Sequence, residues 1–342
     1  MAESYPWSAA APIPAAAVLS DGYHRHAATD AEVKNELGRL TTSLPWSEMG
    51  WFELIDALLA VGRTDIPLAR LAEGHADAQR IFAQAGLAGD VGAIYGVWAS
   101  RSQQTGVTAE RSGTDLVLNG TLRFASGIGV LDRALVPVWP SAEHHLLLDV
   151  PVADLADTAA VDRSLWVTAA MAMSRSHTIT LDDHRVPMTS QVGDDDFYLT
   201  RPGFFPGGVG VAACWLGGAA RVADLVRARL RDPLPPALQQ RLGKLRAQLA
   251  TGAAVLAAAT RRLSDADPTV EGYSDGRAVA TEARFAVAAA VHQVLDQAHR
   301  IAGPAGLAYD EDLTHAVHDL RLYVLQSNAD ADAAYLGRLD PG

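Results

Sequence analysis

Phe124 and Ser126 are the residues whose types and setting most directly suggest chemistry. They lie between an Asn-Gly pair at 119–120 and two glycines at 127 and 129. Phe124 offers a flat ring to stack on, and Ser126 offers a hydroxyl donor for a heteroatom at a ligand's edge. Glycine beside them lets a planar ligand approach the backbone closely. The surrounding stretch, LVLNGTLRFASGIGVLDRALVPVW (116–139), reads as a strand, a hairpin turn at Asn119-Gly120, a return strand through Ser126 and a third strand over 134–139. Taken alone, it reads first as an ordinary solvent-facing meander.

Other reactive side chains carry less. His144 and His145 would face opposite sides of a strand and make poor joint metal ligands. Asp194, Asp195 and Asp196 read as a solvated loop, with no converging ligands identified. His75 falls on the apolar face of a helix and reads as a satisfied core histidine. His318 and Asp319, one apart on a helix, do not share a face and read as a helix-surface or interface pair. Cys214 is the single cysteine, which excludes a disulfide framework and a cysteine-based zinc site. That fits a cytoplasmic protein.

Positioning these groups takes most of the 342 residues, enough for two or three domains or one large multi-part fold. Hydrophobic residues make up 49%, so a substantial core is available, and the net charge of −12 argues against a nucleic-acid partner. The first twenty residues read as a flexible lead without signal-peptide features. No unbroken apolar run is long enough to span a bilayer, so no membrane association is expected. Helices are expected over 28–40, 48–60 and 68–84, with breaks at Gly62 and Pro67 between the second and third. Strands are expected over 93–99, 105–110, 115–119, 121–126, 134–139, 145–150, 166–173 and 177–182, an antiparallel sandwich or barrel. Long helices follow over 209–230, 236–263 and 275–303, the last closed by Gly303-Pro304. One more helix, or a pair, covers 310–339, giving a bundle.

This order resembles the acyl-CoA dehydrogenase family: α+β but mostly α, with a helical N-terminal domain (1–87, shortened), a small antiparallel β-barrel or sandwich domain (88–200) and a C-terminal four-helix bundle (201–342). Five segments carry the resemblance: LNGTLRFASGIGVLDRALV, TITLDDHRVP (178–187), GVAACWLGGAA (210–220), RIAGPAGLAYDEDL (300–313) and HDLRLYVLQSN (318–328). It implies a flavin, FAD in the family's usual form, with FMN or loss of the flavin as alternatives. Val97, Trp98, Phe124, Ala125, Ser126 and Arg300 would be the cofactor-binding residues. Phe124 would lie against the flavin ring, and Ser126 would bond near its reactive edge. The resemblance further implies a small-molecule or acyl-thioester substrate and a homo-oligomer, dimer or tetramer, with a hetero-oligomer as the other arrangement.

Departures from the family pattern bear on the reaction. The glutamate that removes the substrate α-proton in usual members aligns with Ser327, which is not ionised at neutral pH. The alternative base position on the first bundle helix falls near Gly207, and its neighbouring arginine near Gly208. Asp330 is the one nearby carboxylate that could share the face of Ser327. The family's R-x-x-F-G has no clear counterpart around Arg231 and Arg241, and Arg300 and Pro304 replace a glutamine and a glycine of the glycine loop. Three functions remain open. One is a flavin oxidoreductase whose usual base is replaced. A second is a reduced-flavin, oxygen-using monooxygenase on the same fold. The third is a non-catalytic subunit that pairs with an active homologue.

Overall fold

Thr29 starts the first helix, α1 (Asp30–Thr41), through a capping box with Glu32. Helix α2 (Trp51–Thr64) runs through Gly62 rather than breaking there. Asp65 ends it and caps α3 (Ile66–Gln84), accepting from the Leu68 N–H at 2.9 Å, with Pro67 in the new helix's first turn. The expected break at Gly62 therefore falls three residues later. Gly62 serves another purpose: a Cβ there would sit 2.5 Å from the Cys214 carbonyl oxygen of the helix packed against it. This computed structural model describes residues 7–339 apart from 10, 103, 156–158 and 266–273.

Among the described residues seven strands follow in two sheets. Strands β1 (Tyr95–Val97), β4 (Arg133–Val138) and β5 (Leu146–Pro151) form the smaller, with β1 parallel to β4 and β5 antiparallel to it. The larger is antiparallel, in the order β2 (Gly106–Ser112), β3 (Asp115–Ala125), β7 (His177–Pro187), β6 (Ala159–Asp162). The hairpin between β2 and β3 turns at Gly113-Thr114, where Ser112 pairs with Asp115. Asn119-Gly120 is therefore not the turn but the middle of one long strand. There the register against β7 shifts, and Asn119 bonds Asp183 in both directions, at 3.0 and 2.8 Å. Gly120 has φ +137°, and a Cβ on it would lie 2.2 Å from the Gly106 carbonyl. The Asn-Gly pair accommodates a bulge, a use of the same local freedom that makes it a turn signal. The segment 166–173 is not a strand; it is a run of turns ending in a 3-10 turn at Ala172–Ser174.

The short helix α4 (Phe197–Thr200) leads to the bundle: α5 (Gly207–Ala228), α6 (Pro236–Asp265), α7 (Ser274–Tyr309), α8 (Glu311–Tyr323) and α9 (Ala329–Leu336). Helix α7 is interrupted at Gly303 (φ 62°, ψ −175°), where the Gly-Pro stop was expected. Helix α5 is the centre, packing on α2, α3, α6, α7 and α8. By length and composition it is apolar enough to cross a membrane, contrary to the sequence expectation, yet 78% of that apolar window is buried inside the fold. It is a core helix. The chain start is not a loose lead either, although residues 1–6 and 10 lie outside the described residues. Trp7 is buried and donates to Asp224 at 2.7 Å, while the buried Arg63 grips Asp224 through Nε and Nη2 and holds the Pro14 carbonyl at 3.0 Å.

The α2–α5 contact is close because both helices present glycine. A Cβ at Gly217 would lie 2.3 Å from the Leu59 carbonyl and 2.8 Å from the Arg63 nitrogen. Backbone cannot yield there as a side chain can, so Gly217→Ala should destabilise the protein by about 2–3 kcal/mol. Urea unfolding with an unchanged m value would measure this; an unaltered midpoint would contradict the packing.

Candidate active site

The C-terminal ends of β1 and β3 meet the face of α3 and the end of α8 around a cavity of about 480 Å³. Val97, Phe124 and Ser126 line it together. Phe124 is held at φ 59°, a left-handed conformation that costs a bulky residue on the order of 1–3 kcal/mol. Its ring is 56% exposed, against the apolar norm, and meets Trp166 edge to face at 6.2 Å. Trp98 and Ala125 stand behind this wall, both buried, with the Trp98 indole N–H donating to the Ser126 carbonyl at 2.9 Å.

Beneath Phe124 runs a file of serine hydroxyls. Ser126 Oγ is 2.7 Å from Ser176 Oγ, Ser176 Oγ is 2.7 Å from Ser174 Oγ, and Ser174 Oγ is 2.7 Å from the Met171 carbonyl. A carbonyl only accepts, so the Ser174 proton lies on Met171, the Ser176 proton on Ser174 and the Ser126 proton on Ser176. Ser126 thus faces the cavity with a lone pair, whereas the sequence suggested a donor. The turn carrying Ser174 is fixed by Asp319 of α8, which accepts from the Met171 N–H. Asp319 is buried while its neighbour His318 is exposed, so of the pair expected at a helix surface or an interface only His318 is at the surface, and Asp319 ties the bundle to the segment before β7. Burial pushes the Asp319 carboxyl up to about 7.

The opposite wall is ionic. Arg70, Glu73 and Asp77 project from one face of α3 into the cavity, with Tyr198, Tyr323 and Gln326 beside them. Arg70 Nη1 donates to Glu73 Oε2 at 2.9 Å, and Arg201 Nη2 meets both Asp77 oxygens at 2.8 and 2.9 Å. Burial pushes the Glu73 carboxyl above its usual range, Arg70 offsets part of this, and the Asp77 charge adds to it. These carboxylates were missed in the sequence, where only the apolar stripe of α3 was read. The signal was present as Arg-x-x-Glu-x-x-x-Asp, a spacing that returns to one helix face.

Ser327 and Arg300 lie outside the residues lining this cavity. Ser327 follows the 3-10 turn Val324–Gln326, and its Oγ is buried without a hydrogen-bond partner. Arg300 sits on the exterior of α7, its Nε 2.9 Å from Asp296 of the same helix. Asp330 is exposed in the first turn of α9 and does not line the cavity. His75 is buried and accepts from the Tyr95 N–H at 3.1 Å, burial pushing it down to about 4. His144 and His145 both meet Asp196, at 2.8 and 3.1 Å, and Asp195 accepts from the Gln191 amide at 3.1 Å, so two members of the acidic run are engaged rather than solvated. Among the described residues no cluster of three or more histidine, cysteine or acidic side chains could hold a metal.

Residues 197–325 match the family model of the acyl-CoA dehydrogenase C-terminal domain. The chain has the acyl-CoA dehydrogenase fold. Butyryl-CoA dehydrogenase from Megasphaera elsdenii superposes with a TM-score of 0.74 at 13% identity, over 92% of this chain and 90% of that one. TdsC from Paenibacillus sp. A11-2, a dibenzothiophene monooxygenase, gives 0.74 at 16% identity in its complex with FMN and indole, over 90% of this chain and 88% of that one. XiaF from Streptomyces sp., in complex with FADH2 and glycerol, gives 0.70 at 17% identity, over 91% and 88%. No curated protein matches the sequence.

Asp319→Asn keeps an acceptor for Met171 and removes the titration. Between pH 3.8 and about 7 the native carboxyl is protonated and the unfolded one is not, so this group's contribution to stability falls as pH rises through that window. The melting temperature of Asp319→Asn relative to the parent should therefore climb from pH 4 to pH 7. A constant difference across that range would refute the assignment.

Proposed function

We propose that this protein is a flavin-dependent oxidoreductase acting on a compact, polar small molecule, with oxygenation as its reaction. The observation that carries the reading is the pairing of two unlike walls around one cavity: Phe124 and the serine file on one side, the ionic face of α3 on the other. The residues suit a flavin. Phe124, strained and exposed, offers a ring face, Val97 adds apolar surface, and Ser126 Oγ offers an acceptor for a ring N–H. Bound there in reduced form, a flavin supplies two electrons so that, with two protons, one atom of O₂ enters the substrate and the other leaves as water.

The chain's own groups do the rest. Glu73 is the proton carrier: Arg70 occupies Oε2, which leaves Oε1 to take or return a proton, and burial holds its carboxyl above the usual carboxylate range. Arg70 and Arg201 hold the two carboxylates of α3 in place, and Trp166 beside Phe124 helps close the cavity to water. An oxygenase needs no base at Ser327. A straight-chain acyl tail would lose hydration from the ionic wall without replacing it, which disfavours ordinary acyl-CoA desaturation. The FMN and FADH2 complexes of TdsC and XiaF support both the flavin and the monooxygenase reading. We place the protein in the cytoplasm as a homo-oligomer, on its one buried, unpaired cysteine and its Ala-rich bundle helices.

Phe124→Ala should weaken flavin binding by about three- to tenfold in fluorescence titration. Equal affinity in the two proteins would remove Phe124 from the cofactor site. Butyryl-CoA or octanoyl-CoA added anaerobically to the flavin-loaded protein should leave the flavin absorbance unchanged; rapid bleaching would overturn the oxygenase reading in favour of a dehydrogenase. For any substrate turned over, Glu73→Gln should cut kcat by about 10²–10⁴ and abolish the limb of the pH profile that rises above the ordinary carboxylate range.

A further inference from the structure

Arg284 of α7 is a guanidinium whose charge acts on Glu73 without an ion pair at contact distance. It borders a side recess of about 210 Å³ that continues from the ionic wall, together with Glu73, Asp77, Tyr198, Arg201 and Gln326. The other charges there are already matched: Arg70 with Glu73, Arg201 with Asp77. Arg284 makes neither a hydrogen bond nor an ion pair among the described residues, and its Nε is buried with no partner. Its guanidinium carbon lies 6.0 Å from the centre of the Trp215 ring.

The fold makes room for this side chain. Gly208 opens α5 where a Cβ would lie 2.6 Å from Arg284 Cδ. A side chain at 208 would push Arg284 out of its present position. The recess itself is lined by two acids and two arginines, and with Arg70 of the adjoining cavity wall three guanidiniums face two carboxylates, Arg284 being the one with an unsatisfied donor. Arg284 is half-buried, and leaving its buried Nε donor without a partner is costly; water could satisfy that donor but could not add a facing negative charge. A planar oxyanion would do both, because the guanidinium fork matches a carboxylate in two parallel bonds.

We propose that Arg284 anchors an anionic group of the substrate, a carboxylate or the chemically similar phosphate, in the recess beside Glu73. This rests on the proposed function in placing the substrate in the cavity, and it narrows the substrate class to small organic anions. The reacting part of the molecule then lies in the main cavity between Glu73 and Phe124, and the anchored end lies under Arg284.

The test needs no turnover and no flavin. Isothermal titration of the full chain, prepared both without and with flavin, uses benzoate, its neutral analogue benzamide, and inorganic phosphate. Benzoate or phosphate should bind, and Arg284→Gln should weaken that binding about tenfold or more while leaving flavin affinity unchanged. Benzoate binding alone assigns the site to carboxylates, and phosphate binding alone to phosphate esters. Arg284→Lys, which keeps the charge but loses the fork, should fall between the two. Equal binding of benzoate and benzamide without phosphate binding, or no binding of either anion, would overturn the proposal. So would unchanged anion affinity in Arg284→Gln, or an equal loss of flavin affinity there, which would make the recess part of the cofactor site. Should Arg284→Gln fail to fold, the comparison of both anions with benzamide in the parent protein still decides. Flavin binding that fails while anion binding survives would count against the proposed function alone.

Discussion

The ionic stripe of α3 must be kept paired while it is withdrawn from water, and the surrounding structure meets that demand. Arg70, Glu73 and Asp77 lie on one face of a helix whose other face is deep in the core. Two carboxylates so close would drive each other toward the neutral form if they were alone. Arg70 comes from the same helix, but Arg201 reaches Asp77 from the end of α4, after the chain has passed through both sheets. The second ion pair is therefore long-range and ties the helix ahead of the sheets to the connection into the bundle. Its side chain also bonds Gln84, the last residue of α3, at 3.1 Å.

That helix is positioned by small residues rather than large ones. The backbones of α2 and α5 come near enough that Gly62 and Gly217 admit no Cβ without displacement. Large side chains then fill the space around the contact, among them the buried Trp215 and Leu216 of α5. Such a contact leaves little play, since backbone atoms on both sides define it. Arg63 at the end of α2 adds a second lock, joining Asp224 of α5 to the coil that begins the chain. The N-terminal coil is held by these bonds and by Trp7, which explains how a segment without regular structure lies ordered on the bundle.

The flat wall of the cavity is built the opposite way, from backbone irregularity. Phe124 is left-handed at the end of β3, Met171 and Arg175 are left-handed around the 3-10 turn, and the serine hydroxyls bridge the two. Asp319 fixes this irregular segment to α8. Arg175 fixes it from the other side, bonding Asp30 at 2.6 Å and the Ala28 carbonyl at 2.7 Å at the start of α1. Strain of this kind persists only where surrounding bonds over-determine the conformation, and here they come from the first helix and the bundle alike.

By itself the sequence determined the order of elements: helices, strands, then a bundle. Apolar periodicity, the Thr29 cap and the Gly303-Pro304 stop are local signals, and local signals survive without tertiary context. The resemblance of the 116–139 stretch named Phe124 and Ser126 together, with Val97 on the neighbouring strand, and these three line one cavity. What it could not determine was anything set by the approach of distant backbones. Asn119-Gly120 has the conformational freedom of a turn, but pairing with β7 and the proximity of Gly106 used it for a bulge. Gly62 looked like a helix stop, and Cys214 made it a point of contact. Asp319 looked like a helix-surface or interface acid until the turn at Met171 folded over it. The ionic wall depended most on tertiary structure. Glu73 and Asp77 are unremarked acids on a helix until Tyr198, Arg201 and Arg284 arrive from far along the chain to enclose them; that enclosure gives Asp77 its partner and raises the Glu73 carboxyl above its usual range.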